Sequence, residues 1–317
     1  MTWSAVRATS AARSSFSLDW LAGAAFRLSV RVLSLLPLGV ARGLCRRLAG
    51  LVWRSNSRAT VVTRTNLTIC YPELDTRALE SLVRASLAET ACVLAESGAL
   101  FHWHERRWRA LANSATAPGS GALGETLASG TGALVLMPHY GNWEFLGLYL
   151  GALAEHDVLA LFQPQRFSSV TQRLVAARGR SGLKLAPMDR AGIRAAYRQL
   201  GSGGCLLLLP DQVPRRAAGV YAPFFGTPAL TMTLAHRLIQ RTRPEVFMAV
   251  AGRTSNGFEV TIQAMDDAVY KASAEQHAGA INAAIEAVVR DDPAQYQWEY
   301  RRFRRPPAGA ADPYSQT

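Results

Sequence analysis

One short run of this chain carries side chains that could do chemistry: His139, Tyr140, Gly141, Asn142, Trp143 and Glu144. It follows the apolar stretch Ala133–Met137 and Pro138, which reads as a buried strand. It precedes a helix expected from about residue 142 to 154, with Asn142 as its N-cap. His139 and Glu144 are five residues apart, so on one regular helix they would diverge by about 140°. They can meet only if His139 stands on the loop before the helix, and Gly141 permits the tight turn that this loop needs. A Glu in the first turn of a helix is favoured as carboxylate. Bonded to one imidazole nitrogen, it would fix the tautomer and raise the basicity of the other nitrogen, which could then take a proton from a hydroxyl. No Ser or Cys in the run sits where a nucleophile would stand. The pattern therefore suits direct attack of a substrate hydroxyl on an activated acyl group, without an acyl-enzyme. HxxxxE alone is equally compatible with a structural His beside a helix-capping Glu. A zinc site would need a third ligand, and none lies at a helpful spacing.

The elements around this run alternate. From about residue 122, strands are expected at 133–137, 157–162, 183–186, 205–210, 245–252 and 257–264. Helices are expected at 168–179, 190–200, 229–241 and 272–290. Such alternation predicts an α/β fold, a mixed central sheet flanked by helices. Residues 75–100 carry helical periodicity (Leu79, Leu82, Val83, Leu87, Val93, Leu94), and 101–112 form a short basic-aromatic helix. The first 110 residues read as a helical layer or anchor, with 114–121 as a loop.

Residues 18–53 contain no stretch of about 18 uncharged residues, so a simple spanning helix is not indicated. Projected at 100° per residue, Arg27, Arg31 and Arg42 fall on one stripe with Arg46 close by, and Ala22, Ala25, Phe26, Leu33 and Leu36 fall opposite. That is the pattern of a basic amphipathic helix in a membrane interface, broken into two pieces at Pro37 and Gly39. An amphipathic helix packed on the protein's own core would look the same. Residues 1–17 are rich in Ser, Ala and Arg and lack acids, as a disordered start or a transit peptide would.

The 317 residues are 49% hydrophobic and 18% charged, apolar enough for a substantial core and unlike a disordered chain. The net charge is +12 and is carried almost wholly by arginine; Lys184 and Lys271 are the only lysines. A GC-rich genome explains the Arg/Lys ratio but not the excess charge, which points to an anionic partner. Cys45, Cys70, Cys92 and Cys205 form no CxxC pair, which argues against a disulfide framework or zinc knuckle and for free, buried thiols.

Several motifs, taken together, resemble one family. PHYGNWE at 138–144 is similar to the HxGNWE motif of the bacterial lipid A late acyltransferases (lauroyl and myristoyl transferases), themselves within the HxxxxE glycerolipid-type acyltransferases. RTNLTICYPEL (64–74), ARGRSG (177–182), PDQVP (210–214), GVYAPFFGTPALT (219–231) and PAQYQWEYRRFRRPP (293–307) resemble further family segments in the same order. Ala294, Tyr300 and Arg304 depart from the usual Glu, His and Lys, and FQP at 162–164 lacks an Arg often found before the Pro. The resemblance implies transfer of a fatty acyl chain from acyl carrier protein, or coenzyme A, to a hydroxyl of a phosphorylated glycolipid precursor at the cytoplasmic face of a bacterial inner membrane. It implies no metal or cofactor, and no nucleic-acid partner for the Arg-aromatic tail. It makes His139 the base and Glu144 its partner, with Arg178 and Arg180 on phosphate and Asp211 supporting the site. Asn142 and nearby backbone N–H groups would stabilise the thioester oxyanion. The expected organisation is a disordered 1–17, a membrane-associating 18–53, a catalytic α/β domain over 54–307 and a flexible tail at 308–317. The same chemistry on another glycolipid, an ornithine-type lipid or a pigment lipid, a non-catalytic lipid or carrier-protein binder, and a metal-dependent hydrolase remain as alternatives.

Overall fold

The computed structural model describes residues 20, 23–153, 157–165 and 167–315; the expectation for 1–17 and Ala22 lie outside them. The core is a six-stranded sheet built from β1 (Ala133–Leu136), β2 (Val158–Phe162), β3 (Lys184–Pro187), β4 (Cys205–Leu208), β7 (Glu245–Arg253) and β8 (Phe258–Ala264). The strand order is β3-β2-β4-β1-β7-β8. The first five are parallel, and β8 runs antiparallel on β7, so the sheet is mixed, as the alternation predicts. β1 and β4 are buried at every position, because helices cover both faces of a parallel sheet. Their alternate side chains feed two cores: Leu134, Leu136, Leu206 and Leu208 on one face, and Ala133, Val135, Cys205 and Leu207 on the other.

Helices α6 (Ser120–Ala128), α7 (Trp143–Leu153), α8 (Ser168–Arg178), α9 (Arg190–Gly201), α10 (Leu234–Thr242) and α11 (Ala274–Asp291) flank the sheet. One expected element is different. Instead of a helix over 229–241, β5 (Gly219–Phe224) and β6 (Thr227–Met232) form a hairpin, and α10 begins only at Leu234. The turn is Phe225-Gly226, both with positive φ (49° and 74°), the backbone of a type I′ hairpin turn. A helical reading of ALTMTLAHRLIQ missed that Thr and β-branching favour a strand there.

The first hundred residues are a helical layer. Residues 23–34 form α1, followed by α2 (Leu38–Arg54), α3 (Arg58–Cys70), α4 (Thr76–His102) and α5 (Glu105–Asn113). The break falls at Pro37, so one projection cannot describe both pieces. The observed faces differ from the projected ones. Arg42 is only 2% exposed, and Leu33 packs with Ala41, Cys45 and Ala95. The side turned to solvent carries Leu28, Val32, Leu35, Val40, Leu44, Leu48 and Leu51, with Arg27, Arg31, Arg46 and Arg47 also exposed. In α5 the tryptophans face inward (Trp108, with Trp103 just before it) while Arg106, Arg107 and Arg109 stay outside. Among the described residues no helix is long and apolar enough to cross a membrane. The four cysteines are free and buried.

Of the stretch expected as a flexible tail, the described residues 308–315 are tied to the body. Tyr314 is buried, its hydroxyl accepts from the Phe303 N–H at 3.0 Å and donates to Asn66 Oδ1.

Candidate active site

His139 stands on the loop between β1 and α7, where the sequence requires it. The loop is held by backbone bonds from two sides. Gly141 N–H donates to Gln295 O, Asn142 N–H to Ala251 O, and Gln297 N–H to His139 O, each at 2.9 Å. The C-terminal QYQW segment therefore clamps the HYGN turn. Gly141 has φ +56°, and a Cβ there would lie 2.0 Å from Ala251 O, so only glycine fits.

The carboxylate on His139 is Asp211, not Glu144. Asp211 Oδ1 lies 2.7 Å from His139 Nδ1, and Oδ2 accepts the His139 backbone N–H at 2.8 Å. Burial pushes the Asp211 carboxyl up, but the charge and hydrogen bonds of His139 outweigh it, and its pKa lies below the ordinary carboxylate value. An ionised Asp211 can only accept, so Nδ1 carries a proton, and in the neutral ring the lone pair is on Nε2. Nε2 meets Gln212 Nε2 at 3.2 Å. With Nε2 as acceptor, Gln212 is the donor in that contact.

Glu144 sits in the first turn of α7 as expected, but its carboxylate is bidentate with Arg178 at the end of α8: Nε to Oε2 at 2.8 Å and Nη2 to Oε1 at 2.5 Å. Arg178 is largely desolvated, which lowers its pKa, yet the Glu144 charge more than offsets this and the guanidinium is held ionised. Two other expected roles change because the side chains are already engaged. Asn142 does cap α7, accepting from Phe145 N–H at 2.7 Å, but its amide donates to Glu96 at 2.6 Å and it is fully buried. It does not line the cavity beside His139, so it is not placed to meet an oxyanion there. Arg180 donates to Leu100 O, Phe101 O and Trp103 O, closing the C-terminus of α4, so it is not a phosphate ligand.

Glu96 was not legible as a site residue. It accepts from Arg42 Nε (2.6 Å), Arg253 Nε (2.6 Å), Arg253 Nη2 (2.9 Å) and Asn142. Arg253 also reaches Gly141 O at 3.2 Å and Glu89 at 2.8 Å. This buried cluster joins α2, α4 and β7 to the loop that carries His139. Its only sequence signal is a Glu inside the apolar stripe of α4, a position where an unpaired charge is too costly.

His139, Glu144, Arg178 and Gln212 line one cavity of about 990 Å³, the upper end of what small-molecule sites use. It lies beyond the carboxyl ends of β1 to β4, where open parallel sheets collect ligands. Its wall includes Met137, Leu183, Leu185, Ile193, Leu207 and Leu209. Among the described residues no group of three or more His, Cys, Asp and Glu side chains could hold a metal.

A carboxylate-held imidazole whose second nitrogen faces the cavity wall at Gln212, beside a cavity with both apolar and basic lining, suits acid–base work on a bound substrate. The comparisons agree. The sequence profile of the bacterial lipid A biosynthesis acyltransferases matches residues 9–305. The chain is 24% identical over 260 residues to the lipid A biosynthesis palmitoleoyltransferase of Escherichia coli K12, covering 81% of this chain and 82% of that protein. It is 23% identical over 303 residues to the lipid A biosynthesis lauroyltransferase of the same organism, covering 94% of each. A lipid A biosynthesis acyltransferase of Haemophilus influenzae is 24% identical over 257 residues, 79% of each chain. This chain belongs to the bacterial lipid A biosynthesis acyltransferase family and is an acyltransferase.

Proposed function

We propose that the chain transfers a fatty acyl group from acyl carrier protein to a hydroxyl of a lipid A precursor, with His139 as general base. The observation that carries this reading is the two-sided imidazole: Nδ1 is fixed by Asp211 and Nε2 meets Gln212, a residue of the cavity wall. The acceptor hydroxyl displaces the Gln212 amide from Nε2. The imidazole takes its proton as the oxygen attacks the thioester carbon. The C–S bond breaks, and the leaving thiolate takes the proton from the imidazolium. Asp211 stabilises the imidazolium formed between these steps. Glu144 acts on Arg178, and the pair shapes one side of the cavity. The apolar lining suits a fatty chain. The family and the names of its relatives support the lipid A acceptor.

The exposed leucines and valines of α1 and α2, with arginines beside them, suit peripheral contact with an anionic bilayer. This supports action at the cytoplasmic face of the inner membrane, where both substrates would be held near the cavity.

Purified protein incubated with labelled acyl carrier protein and a lipid A precursor tests the reading. Label should pass to the precursor, and H139A should lose about 10²–10⁴-fold in rate, the usual contribution of a general base. Full activity in H139A, or label passing to other lipids and not to the precursor, would overturn it.

A further inference from the structure

Six arginines and only two carboxylates line the cavity that holds His139. Both carboxylates are occupied. Glu144 is bidentate with Arg178, and Asp189 caps α9 through the N–H groups of Ala191 and Gly192. Arg304 and Arg305 each give one nitrogen to a backbone carbonyl of the loop after β4, Val213 O and Pro214 O. The Nε–H of Arg304 is buried without an acceptor. Arg190, Arg215 and Arg237 find no ion-pair partner among the described residues. They come from separate places in the fold: the first residue of α9, the loop after β4, and α10. Guanidinium groups that line one cavity without a carboxylate partner suit an anion there, and their planar forks match phosphate oxygens.

We infer that Arg190, Arg215 and Arg237, with Arg304 beside them in the same lining, form a phosphate-binding subsite of the cavity. This moves phosphate recognition away from Arg178 and Arg180, whose guanidinium groups are committed to Glu144 and to α4. Two substrates of the proposed reaction carry phosphate: the glycolipid headgroup, as monoester, and the pantetheine arm of the carrier, as diester. Which of them binds rests on the acyl-transfer reading; the existence of the subsite does not.

Inorganic pyrophosphate is the probe for the site itself. Titration calorimetry on the full chain should show binding that weakens about tenfold or more in R190A/R237A, since one lost charge-assisted contact is worth roughly that factor. Both side chains are exposed, so the variant should keep its fold. No pyrophosphate binding, or equal affinity in the variant, overturns the proposal whatever the enzyme transfers. Kinetics then identify the occupant. If it is the headgroup, kcat/KM of the variant falls about tenfold for a phosphorylated acceptor and far less for its dephosphorylated form. If it is the carrier arm, the fall follows the donor, present with acyl carrier protein and absent with a truncated acyl thioester lacking the diester. Equal kcat/KM in the variant and the wild type with every substrate pair overturns a role in substrate recognition. Intact pyrophosphate binding with no acyl transfer counts against the reaction and leaves the subsite standing.

Discussion

Two carboxylates flank the loop that carries His139, and they have different partners. Asp211 is buried against His139 and touches it twice, at the ring and at the backbone N–H. Glu144 lies in the first turn of α7 and spends both oxygens on Arg178. The difference teaches that proximity in sequence is a poor guide to which acid orients a base. A carboxylate three strands later in the chain is nearer in space, because β1 and β4 are adjacent and parallel. Glu144 instead anchors the end of α8 and fixes the charge of one cavity wall.

Variants of the two acids sharpen this contrast. D211N should cost the most, about 10²–10⁴-fold in kcat, because the imidazole loses the partner that fixes its tautomer and supports its charge. E144Q should fall within about tenfold, because it weakens a charge-assisted pair without touching His139. Equal losses in the two variants would break the distinction. The pH dependence separates them further. Asp211 has a depressed pKa in the folded chain, so its contribution to stability is fully present above the ordinary carboxylate value and is lost as pH falls through the depressed one. Acid unfolding of D211N should therefore lack a step that E144Q retains, measured by circular dichroism from pH 6 downward.

The buried cluster under the loop gives a second test. E96A leaves Arg42 and Arg253 without their shared counter-charge and frees the Asn142 amide. Chemical denaturation should show a loss of about 3–5 kcal/mol, the usual cost of breaking a buried pair from one side. A change within about 0.5 kcal/mol, the range of ordinary surface sites, would mean the cluster does not hold the loop. The smallest effect is expected on the outer helices. L44S/L48S should leave acyl transfer to detergent-dispersed substrate near the wild-type rate and reduce binding to anionic vesicles, read by co-sedimentation.

Much of the fold was legible because apolar runs such as Ala133–Met137 and Cys205–Leu209 can only be buried strands, and because Asn142 and Gly141 mark a turn and a cap. Asp211 was expected to support the site, but its direct pairing with His139 was not read, though a signal exists. Leu136 pairs with Leu208 in register, and extending both strands by three residues sets His139 opposite Asp211. The register itself follows from which strands neighbour each other, which one chain's pattern does not reveal. Asn142 and Arg180 were misread for a related reason: their partners, Glu96 and the carbonyls ending α4, lie in the distant helical layer. The inward turn of Arg42 was hidden by projecting α1 and α2 as one helix across Pro37.

The most direct test is the protonation pattern of the His139 ring, read by ¹⁵N NMR of imidazole-labelled protein with H139A for assignment. In the neutral ring the structure predicts a proton on Nδ1 and a lone pair on Nε2 in the wild type and in E144Q, and loss of that fixed tautomer in D211N. A tautomer that survives D211N and disappears in E144Q would contradict the assignment of Asp211 as the partner of the base.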